Sequence, residues 1–353
     1  LEDPRTTIII PNYNGARHFS ALFGSIAAQS RPPARIILVD NGSTDNSRKL
    51  LPSSAEFLPL GSNHGFAHAV NRGVERATTD YVAILNNDVV LDSNWLYTLE
   101  LALRENAYAY ACPLLLSART PERIDGSFDL LSRSGCAERA FHGESVHHSL
   151  AAATRVISFP PMTAALFRRN LFDSVGLLEE SFGSYYEDIE FGLRSAARGF
   201  KGCYVPLARA YHLGSATLGA WSSHTTFLVS RNQLLLVARC YPKPLLRAWW
   251  WQILCGNILF VFLAMRHGRS LSAIHGKLIA LHLWAQSGGH PSRESARQLT
   301  PPPADTEARL ASVIGASERE LFQLSHSTKP SRFWRLYFKL CPPCTSHPAG
   351  GSQ

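Results

Sequence analysis

Short apolar runs alternate with polar turns over the first ninety residues. Residues 6–10, Thr-Thr-Ile-Ile-Ile, predict a strand broken by Pro11-Asn12-Tyr13-Asn14-Gly15, and the residues up to about 30 predict a helix. Residues 35–39, Arg-Ile-Ile-Leu-Val, predict a second strand. It ends in Asp40-Asn41-Gly42-Ser43-Thr44-Asp45, whose Ser43, Thr44 or Asp45 can cap a following helix. A short strand over residues 56–60, a turn over 61–65 and a helix over 66–77 lead to a fourth apolar run at residues 81–85. That run meets Asn86-Asn87-Asp88 and continues into the short apolar stretch 89–91. Strand alternating with helix predicts an α/β fold with a mostly parallel central sheet flanked by helices. Parallel strands share their carboxyl ends, so the polar loops converge on one edge, where such sheets bind ligands.

The pattern weakens from about residue 112 to 159, where Gly126, Gly135 and Gly143 sit among polar residues and predict short strands and loops. A strand returns at residues 162–168, followed by a helix through Phe172 and Gly176. Glu187-Asp188 then opens a helix over about 189–198, a terminus that favours negative charge. Residues 248–265 are 18 positions without a formal charge, flanked by Lys243 and Arg247 on one side and Arg266, His267 and Arg269 on the other. That length lies at the lower limit for a membrane span, and Gln252 and Asn257 interrupt it. A helix lying in the membrane interface fits it better than a span or a buried core helix. Beyond Gly288 the composition turns to Pro, Ser and Arg, with residues 300–303 a linker and a disordered end expected after Pro342. The expected organisation is an α/β domain at 1–240 with halves at 1–110 and 111–240. A helical membrane-associating region at 241–290 and a basic, partly disordered tail at 291–353 follow.

Charge sharpens this division. The chain carries a net +8 across 353 residues, with 45% apolar and 18% charged positions, as expected of a folded protein. Residues 1–150 hold 13 Lys/Arg against 16 Asp/Glu, residues 151–240 hold 9 against 6, and residues 241–353 hold 13 against 5. A basic final third on a mildly acidic first third fits attraction to an anionic membrane surface. It does not fit a nucleic-acid binder, since no motif of interleaved aromatic and basic residues is visible. The seven scattered cysteines, odd in number and mostly in apolar surroundings, indicate a reducing compartment. Cys341 and Cys344 have suggestive spacing but no second pair to complete a zinc site. The opening Leu-Glu-Asp-Pro shows no basic and apolar signal segment, so export is not indicated.

The candidate chemistry begins at Asn86-Asn87-Asp88. A carboxylate flanked by amides at the end of a buried strand suits a hard divalent cation such as Mg²⁺ or Mn²⁺, which prefers oxygen ligands and often bridges to phosphate. Alone, the same tripeptide reads more readily as a solvated turn. A dinucleotide-dependent oxidoreductase is disfavoured, because no Gly-x-Gly-x-x-Gly follows either early strand.

Five ordered segments resemble glycosyltransferase family 2, the inverting nucleotide-sugar transferases, and most closely the rhamnosyltransferase-like branch. They are Ile10-Pro11-Asn12-Tyr13-Asn14, residues 39–45, Asn63-His64-Gly65-Phe66 with Asn71, Leu85-Asn86-Asn87-Asp88, and Tyr186-Glu187-Asp188 followed by His212. The resemblance covers about residues 6–240 and implies the GT-A fold, a nucleotide-binding first half and an acceptor-binding second half. It implies that Pro11, Tyr13, Asn14, Asn63, Gly65, Phe66, Asn71, Asn86 and Asn87 contact a nucleotide-diphosphate sugar, and that Asp40 accepts a hydrogen bond from the base. Asp88 occupies the last position of the family's Asp-x-Asp motif and would hold the metal, with His212 as a partner or ligand. Asn86 stands where many members carry the first Asp. Asp188 matches the catalytic base, with Glu187 and Tyr186 shaping its surroundings.

Processive members carry Gln-x-x-Arg-Trp, whereas this chain has Ser230-Arg231-Asn232 in that neighbourhood, which implies transfer of one sugar per encounter. The implied donor is dTDP-rhamnose or a UDP-sugar. The implied acceptor is a glycan or polyprenyl-linked glycan in cell-surface polysaccharide synthesis, at the cytoplasmic face of the inner or plasma membrane, with peripheral or monotopic attachment. The competing reading is a noncatalytic nucleotide-sugar or glycan-binding protein with a degenerate site.

Overall fold

The computed structural model describes residues 5–213, 221–286, 303–327 and 331–343. Its first third alternates as the apolar runs predict: β1 (Thr6–Asn12), α1 (Phe19–Ala27), β2 (Arg35–Asp40), α2 (Ser47–Leu50), β3 (Glu56–Pro59), α3 (Phe66–Arg76) and β4 (Tyr81–Leu85). The three short strands β1, β2 and β4 bury residues on both sides. Ile9, Ile37, Val82 and Ile84 face one core, while Ile8, Ile10, Leu38, Ala83 and Leu85 face the other. This follows from the two-residue side-chain period of a strand covered by helices on both faces. None of the three capping candidates is the N-cap of α2, which is Asn46; Asp45 stands one residue earlier, and its Oδ1 accepts from the Ser47 N–H at 3.0 Å.

The chain continues through β5 (Val89–Leu91), α4 (Trp95–Glu105), β6 (Tyr110–Ser117), β7 (Ile124–Gly126), β8 (Asp129–Leu131), β9 (Ala137–Arg139), β10 (Arg155–Ile157) and β11 (Ala164–Arg168). Then come α5 (Arg169–Val175), α6 (Glu187–Ala197), β12 (Gly202–His212) and α7 (Ser223–Cys240). The main sheet runs β10-β12-β6-β11-β4-β1-β2-β3. Its β4-β1-β2-β3 side is parallel, whereas β11 enters antiparallel between β4 and β6. The sheet is therefore parallel in its first half and mixed in its second. Strand order reverses at β1, between β2 and β4, and that switch point opens a crevice at the strand ends. Asn12 and Asn86 leave the sheet there.

The long buried strand β6 lies where only short strands and loops were expected. Pro113 obscured it, because a central strand seldom tolerates a residue without an N–H. The structure accommodates it at an irregularity: Pro113 pairs with Val205 of β12, and the next residue, Leu114, pairs with Arg209. The three residues between, Pro206, Leu207 and Ala208, make up the irregularity in the register.

The last part of the chain contains α8 (Lys243–Ala248), α9 (Trp250–Arg266), α10 (Ser270–Gln286), α11 (Thr306–Ser327) and α12 (Arg332–Leu340). Among the described residues no helix is long and apolar enough to cross a membrane. The stretch 291–353, expected as a tail, carries α11 and α12, and both are built into the core. Leu310, Ile314, Leu321 and Leu324 recur on one face of α11 and are buried, the periodicity of an amphipathic helix. Arg133 from the loop after β8 meets the buried Glu318 of α11, and the Tyr337 hydroxyl of α12 donates to Glu318 Oε1 at 2.7 Å. The residues 287–302 and Cys344 lie outside the described residues, as does most of the expected end after Pro342.

Candidate active site

Asn12 ties together the strand ends at the switch point. Its Nδ2 donates to Asp40 Oδ1 at 3.1 Å and to Ser47 Oγ at 3.0 Å, and its Oδ1 accepts from Asn87 Nδ2 at 2.8 Å. One buried amide therefore fixes β1, β2 and the Asn86-Asn87-Asp88 turn. Asp40 is buried behind it and also accepts from the Ser43 N–H at 3.1 Å, so its carboxylate lies behind the cleft wall. Asn14 turns with φ 53° and accepts from the Thr44 N–H at 2.8 Å, which shapes the same loop from outside the cleft. Asn41 accepts from the His64 N–H at 2.9 Å and donates to Asn63 Oδ1 at 3.0 Å.

These loops border a cleft of about 1210 Å³. Of the expected nucleotide-sugar residues, Pro11, Tyr13, Asn63, Gly65, Phe66, Asn86 and Asn87 line it. Asn14, Asp40 and Asn71 do not. Asn71 instead donates to the Leu178 carbonyl at 2.9 Å and to Glu180 Oε1 at 2.8 Å, and accepts from the Leu178 N–H at 2.9 Å. It clasps the segment that leads to α6. Gly65, at φ 92°, faces Gly183 so closely that a Cβ would lie 2.8 Å from the Gly183 carbonyl oxygen. Only glycine allows this close approach of the two halves.

Asp88 and His212 meet because β5 pairs antiparallel with β12, placing His212 opposite Val89. His212 Nε2 lies 3.3 Å from Asp88 Oδ1, and Nδ1 lies 2.8 Å from Asp125 Oδ2. Burial opposes charge on all three groups, but the hydrogen bonds and mutual attraction outweigh it. They hold Asp88 and Asp125 below the usual carboxylate range and lift His212 to about 9. Asp125 was missed in sequence because it sits in the weak stretch before Gly126. Pairing of β7 with β6 delivers it to His212, which β6 also borders. Asp125 orients the imidazole through Nδ1 and turns Nε2 towards Asp88, the usual arrangement behind a metal-binding histidine. Among the described residues no group of three acidic, His or Cys side chains forms a ready cage.

Glu187 and Asp188 begin α6 and line the cleft. Two left-handed residues, Tyr185 at φ 69° and Tyr186 at φ 74°, precede them and swing the helix start inward. Asn232 of α7 restrains this turn, since its Nδ2 lies within 3.0 Å of the carbonyls of Phe182, Ser184 and Tyr185. Arg231 adds bonds to the Phe182 and Ser181 carbonyls at 2.7 and 3.2 Å. Burial, then the nearby Asp188 charge, pushes Glu187 well above the usual carboxylate range. Its Oε2 is buried without a hydrogen-bond partner. Asp188 Oδ1 accepts from the Ile189 N–H at 2.8 Å, yet burial still raises its proton affinity. Asp129, unexpected from sequence, completes an acidic cluster, and burial followed by the Asp188 charge pushes it up to about 8. A carboxylate of raised proton affinity that lines the cleft is equipped to accept a proton.

A parallel half that supplies polar strand ends, joined to a mixed half that supplies a carboxylate helix start, defines the GT-A architecture. Structural comparison agrees. The fold is similar to GalNAc-T7 with UDP, GalNAc and Mn²⁺, with TM-score 0.57, 15% identity and coverage of 73% of this chain and 51% of that one. It is also similar to the mannosyltransferase PcManGT of Pyrobaculum calidifontis with GDP-Man and Mn²⁺, with TM-score 0.50, 17% identity and coverage of 96% and 86%. The family model described as glycosyl transferase family 2 matches residues 7–176, so this part of the chain carries a domain of that family.

Among curated relatives, the poly-beta-1,6-N-acetyl-D-glucosamine synthase of Staphylococcus aureus strain COL is 26% identical over 239 residues. The alignment covers 65% of this chain and 55% of that protein, so the chain spans about half the length of this relative. The N-acetylglucosaminyl-diphospho-decaprenol L-rhamnosyltransferase of Mycobacterium tuberculosis is 25% identical over 229 residues, covering 58% of this chain and 75% of that protein.

Proposed function

We propose that the chain transfers a single sugar, with inversion, from a nucleotide-diphosphate sugar to a glycan or polyprenyl-linked glycan during synthesis of a cell-surface polysaccharide. The observation that carries this reading is the presence in one cleft of the Asp88–His212–Asp125 chain and the Glu187–Asp188 helix start. Pro11, Tyr13, Asn41 and Asn63 border the nucleotide end, and Asp40 acts on it through the loop that Asn12 and Ser43 share. The name of the poly-beta-1,6-N-acetyl-D-glucosamine synthase supports a polysaccharide product, and that of the rhamnosyltransferase supports a decaprenyl-diphosphate-linked glycan as acceptor and a rhamnosyl donor.

In this reading Asp188 accepts the proton of an acceptor hydroxyl. The freed oxygen attacks the anomeric carbon from the face opposite the diphosphate, a C–O bond forms, and the bond from that carbon to the diphosphate oxygen breaks. Direct displacement of this kind inverts the configuration. Negative charge grows on the departing diphosphate, and Asp88 with the Nε2 of His212 would hold a Mg²⁺ or Mn²⁺ beside it. Their donor set of one carboxylate oxygen and one oriented imidazole fits such an ion, leaving room for phosphate oxygens and water. When bound, the cation supplies positive charge against the leaving group. Both structural neighbours were solved with Mn²⁺, which supports a divalent cation here.

The test is thermal-shift screening of UDP, dTDP, GDP and their sugars with and without Mn²⁺, followed by turnover of any stabilising donor. Asp188→Asn should retain the shift and lose transfer. Retained transfer in that variant would remove Asp188 as the base. A shift without turnover in the unaltered protein would favour a noncatalytic binder.

A further inference from the structure

We propose that α9 and α10 form a docking face for an anionic phospholipid bilayer, with the helices lying in the plane of the interface. On α9, Leu254, Ile258 and Phe262 recur every four residues and are exposed. On α10, Ile274, Leu278 and Leu281 do the same at spacings of four and three. The two helices pack together, so the two stripes belong to one part of the surface. Phe262 is 55% and Leu278 59% exposed, and most of the exposed large apolar side chains among the described residues lie on this pair. A patch of this extent marks an interaction site rather than scattered surface apolar residues.

The charge around the patch selects the partner. Residues 241–286 contain five Lys or Arg and no Asp or Glu. Exposed Lys243 and Arg247 stand before α9, and exposed Arg266 closes it. Lys277 is the exception, turned inward with Nζ 2.8 Å from Gln233 Oε1 and over the Phe260 ring. A second copy of the chain docking through this face would bring two basic rims together, whereas an anionic leaflet is attracted by them and receives the apolar side chains. Each helix has 17 residues and is too short and insufficiently apolar to span, so the face lies on the bilayer.

The same helix connects the face to the cleft. Phe260 and Leu263 of α9 line the cleft near Trp221 and Phe333, while Ile258 and Phe262 point outward. The apolar end of the cleft is thus about 10 Å, one helix diameter, from the surface that would meet lipid. This proposal stands on the surface alone and is tested without turnover, so it can fail while the transferase reading holds.

The experiment is co-sedimentation of the full chain with vesicles of phosphatidylcholine and phosphatidylglycerol, compared with phosphatidylcholine alone, at low and high salt. The unaltered chain should pellet with the anionic vesicles and be released by salt. Phe262→Ser with Leu278→Ser should weaken binding about tenfold or more at an unchanged thermal transition. Lys243→Glu with Arg266→Glu should abolish the preference for phosphatidylglycerol. Brominated phosphatidylcholine in the anionic vesicles should quench the tryptophan fluorescence of the unaltered chain, a readout that needs no variant. Failure to pellet with anionic vesicles, absence of quenching, or binding equal to the unaltered chain in the Phe262/Leu278 variant would overturn the proposal. Self-association lost in that variant, without vesicle binding, would assign the face to a second copy instead.

Discussion

Asn232 donates its side-chain amide to the Tyr185 carbonyl at 2.7 Å, one residue before the left-handed Tyr186 from which α6 starts. Left-handed non-glycine residues each cost about 1 to 3 kcal/mol and persist only when their surroundings hold them. Here α7 does so, through a fully buried amide with three carbonyls around it. Asn232→Ala should therefore lower kcat by about 100-fold, since small misplacements of a reacting group have effects of that size. The KM for the donor should change little, because the donor-contacting loops lie on other elements. Equal losses in kcat and donor affinity would refute this positioning role.

Asp125 reaches His212 from a different strand, and its Oδ2 also pairs with Arg139 at 3.2 Å. Asp125→Asn keeps the shape but removes the charge that orients and polarises the ring. Loss of such a partner weakens metal affinity by about 10- to 100-fold. The Mn²⁺ concentration that gives half-maximal stabilisation by a nucleoside diphosphate should rise by that factor, while metal-free nucleotide binding stays unchanged. Chelation by EDTA should bring the unaltered protein to the level of a His212→Ala variant. An unshifted Mn²⁺ dependence in Asp125→Asn would separate Asp125 from the metal.

The acidic cluster sets a pH dependence of definite sign. Asp129 has its folded value raised to about 8, above an unfolded value of about 4. The folded state thus binds the proton more tightly than the unfolded chain. This group's contribution to stability is complete below pH 4, declines as pH rises between about 4 and 8, and is lost above that window. Asp129→Asn should raise the thermal transition at pH 8 relative to pH 5. Because Asp129 already carries its proton well below pH 8, Asp129→Asn should leave the acid limb of the kcat/KM profile in place. A pH-independent effect on the transition would contradict the assignment.

The elements that carry Pro11, Asp40, Asn63 and Asp88 were legible because each strand is an uncharged run ended by polar residues, a pattern fixed by burial on both faces. Asp188 was legible from its place at a helix start in an ordered motif. Asp125 and Asp129 were not: β7 brings Asp125 to His212 only across β6, and Asp129 lies on β8 in a separate two-stranded sheet, with no local periodicity to announce either. Asn71 shows the reverse. It belongs to a motif of pocket residues, yet its amide is engaged with Leu178 and Glu180. A motif records that a residue serves the site, and the hydrogen-bond partners decide whether it does so by touching a ligand or by holding a loop. The α11 helix was hidden by the Pro- and Ser-rich residues before it, although its buried Leu310, Ile314, Leu321 and Leu324 repeat at helical spacing.

That helix is fastened by charge as well as by apolar packing. Glu318 is 1% exposed, and it accepts from the Arg133 N–H at 3.1 Å and the Tyr337 hydroxyl at 2.7 Å, besides pairing with the Arg133 guanidinium. Glu318→Ala leaves Arg133 buried without its carboxylate, and breaking a buried pair in this way costs about 3 to 5 kcal/mol. Arg133→Met with Glu318→Leu removes both charges together and should recover part of that loss, because an apolar pair carries no desolvation penalty. Trp334 ties the result to the cleft: its indole N–H donates to Glu138 Oε2 at 2.6 Å, and both residues line the cavity. Loosening α11 and α12 should accordingly raise the KM for acceptor more than the KM for donor. Urea unfolding of the single and double variants, with initial rates at varied acceptor, checks both expectations. A Glu318→Ala protein as stable as the unaltered chain would show that α11 is held by its leucines alone.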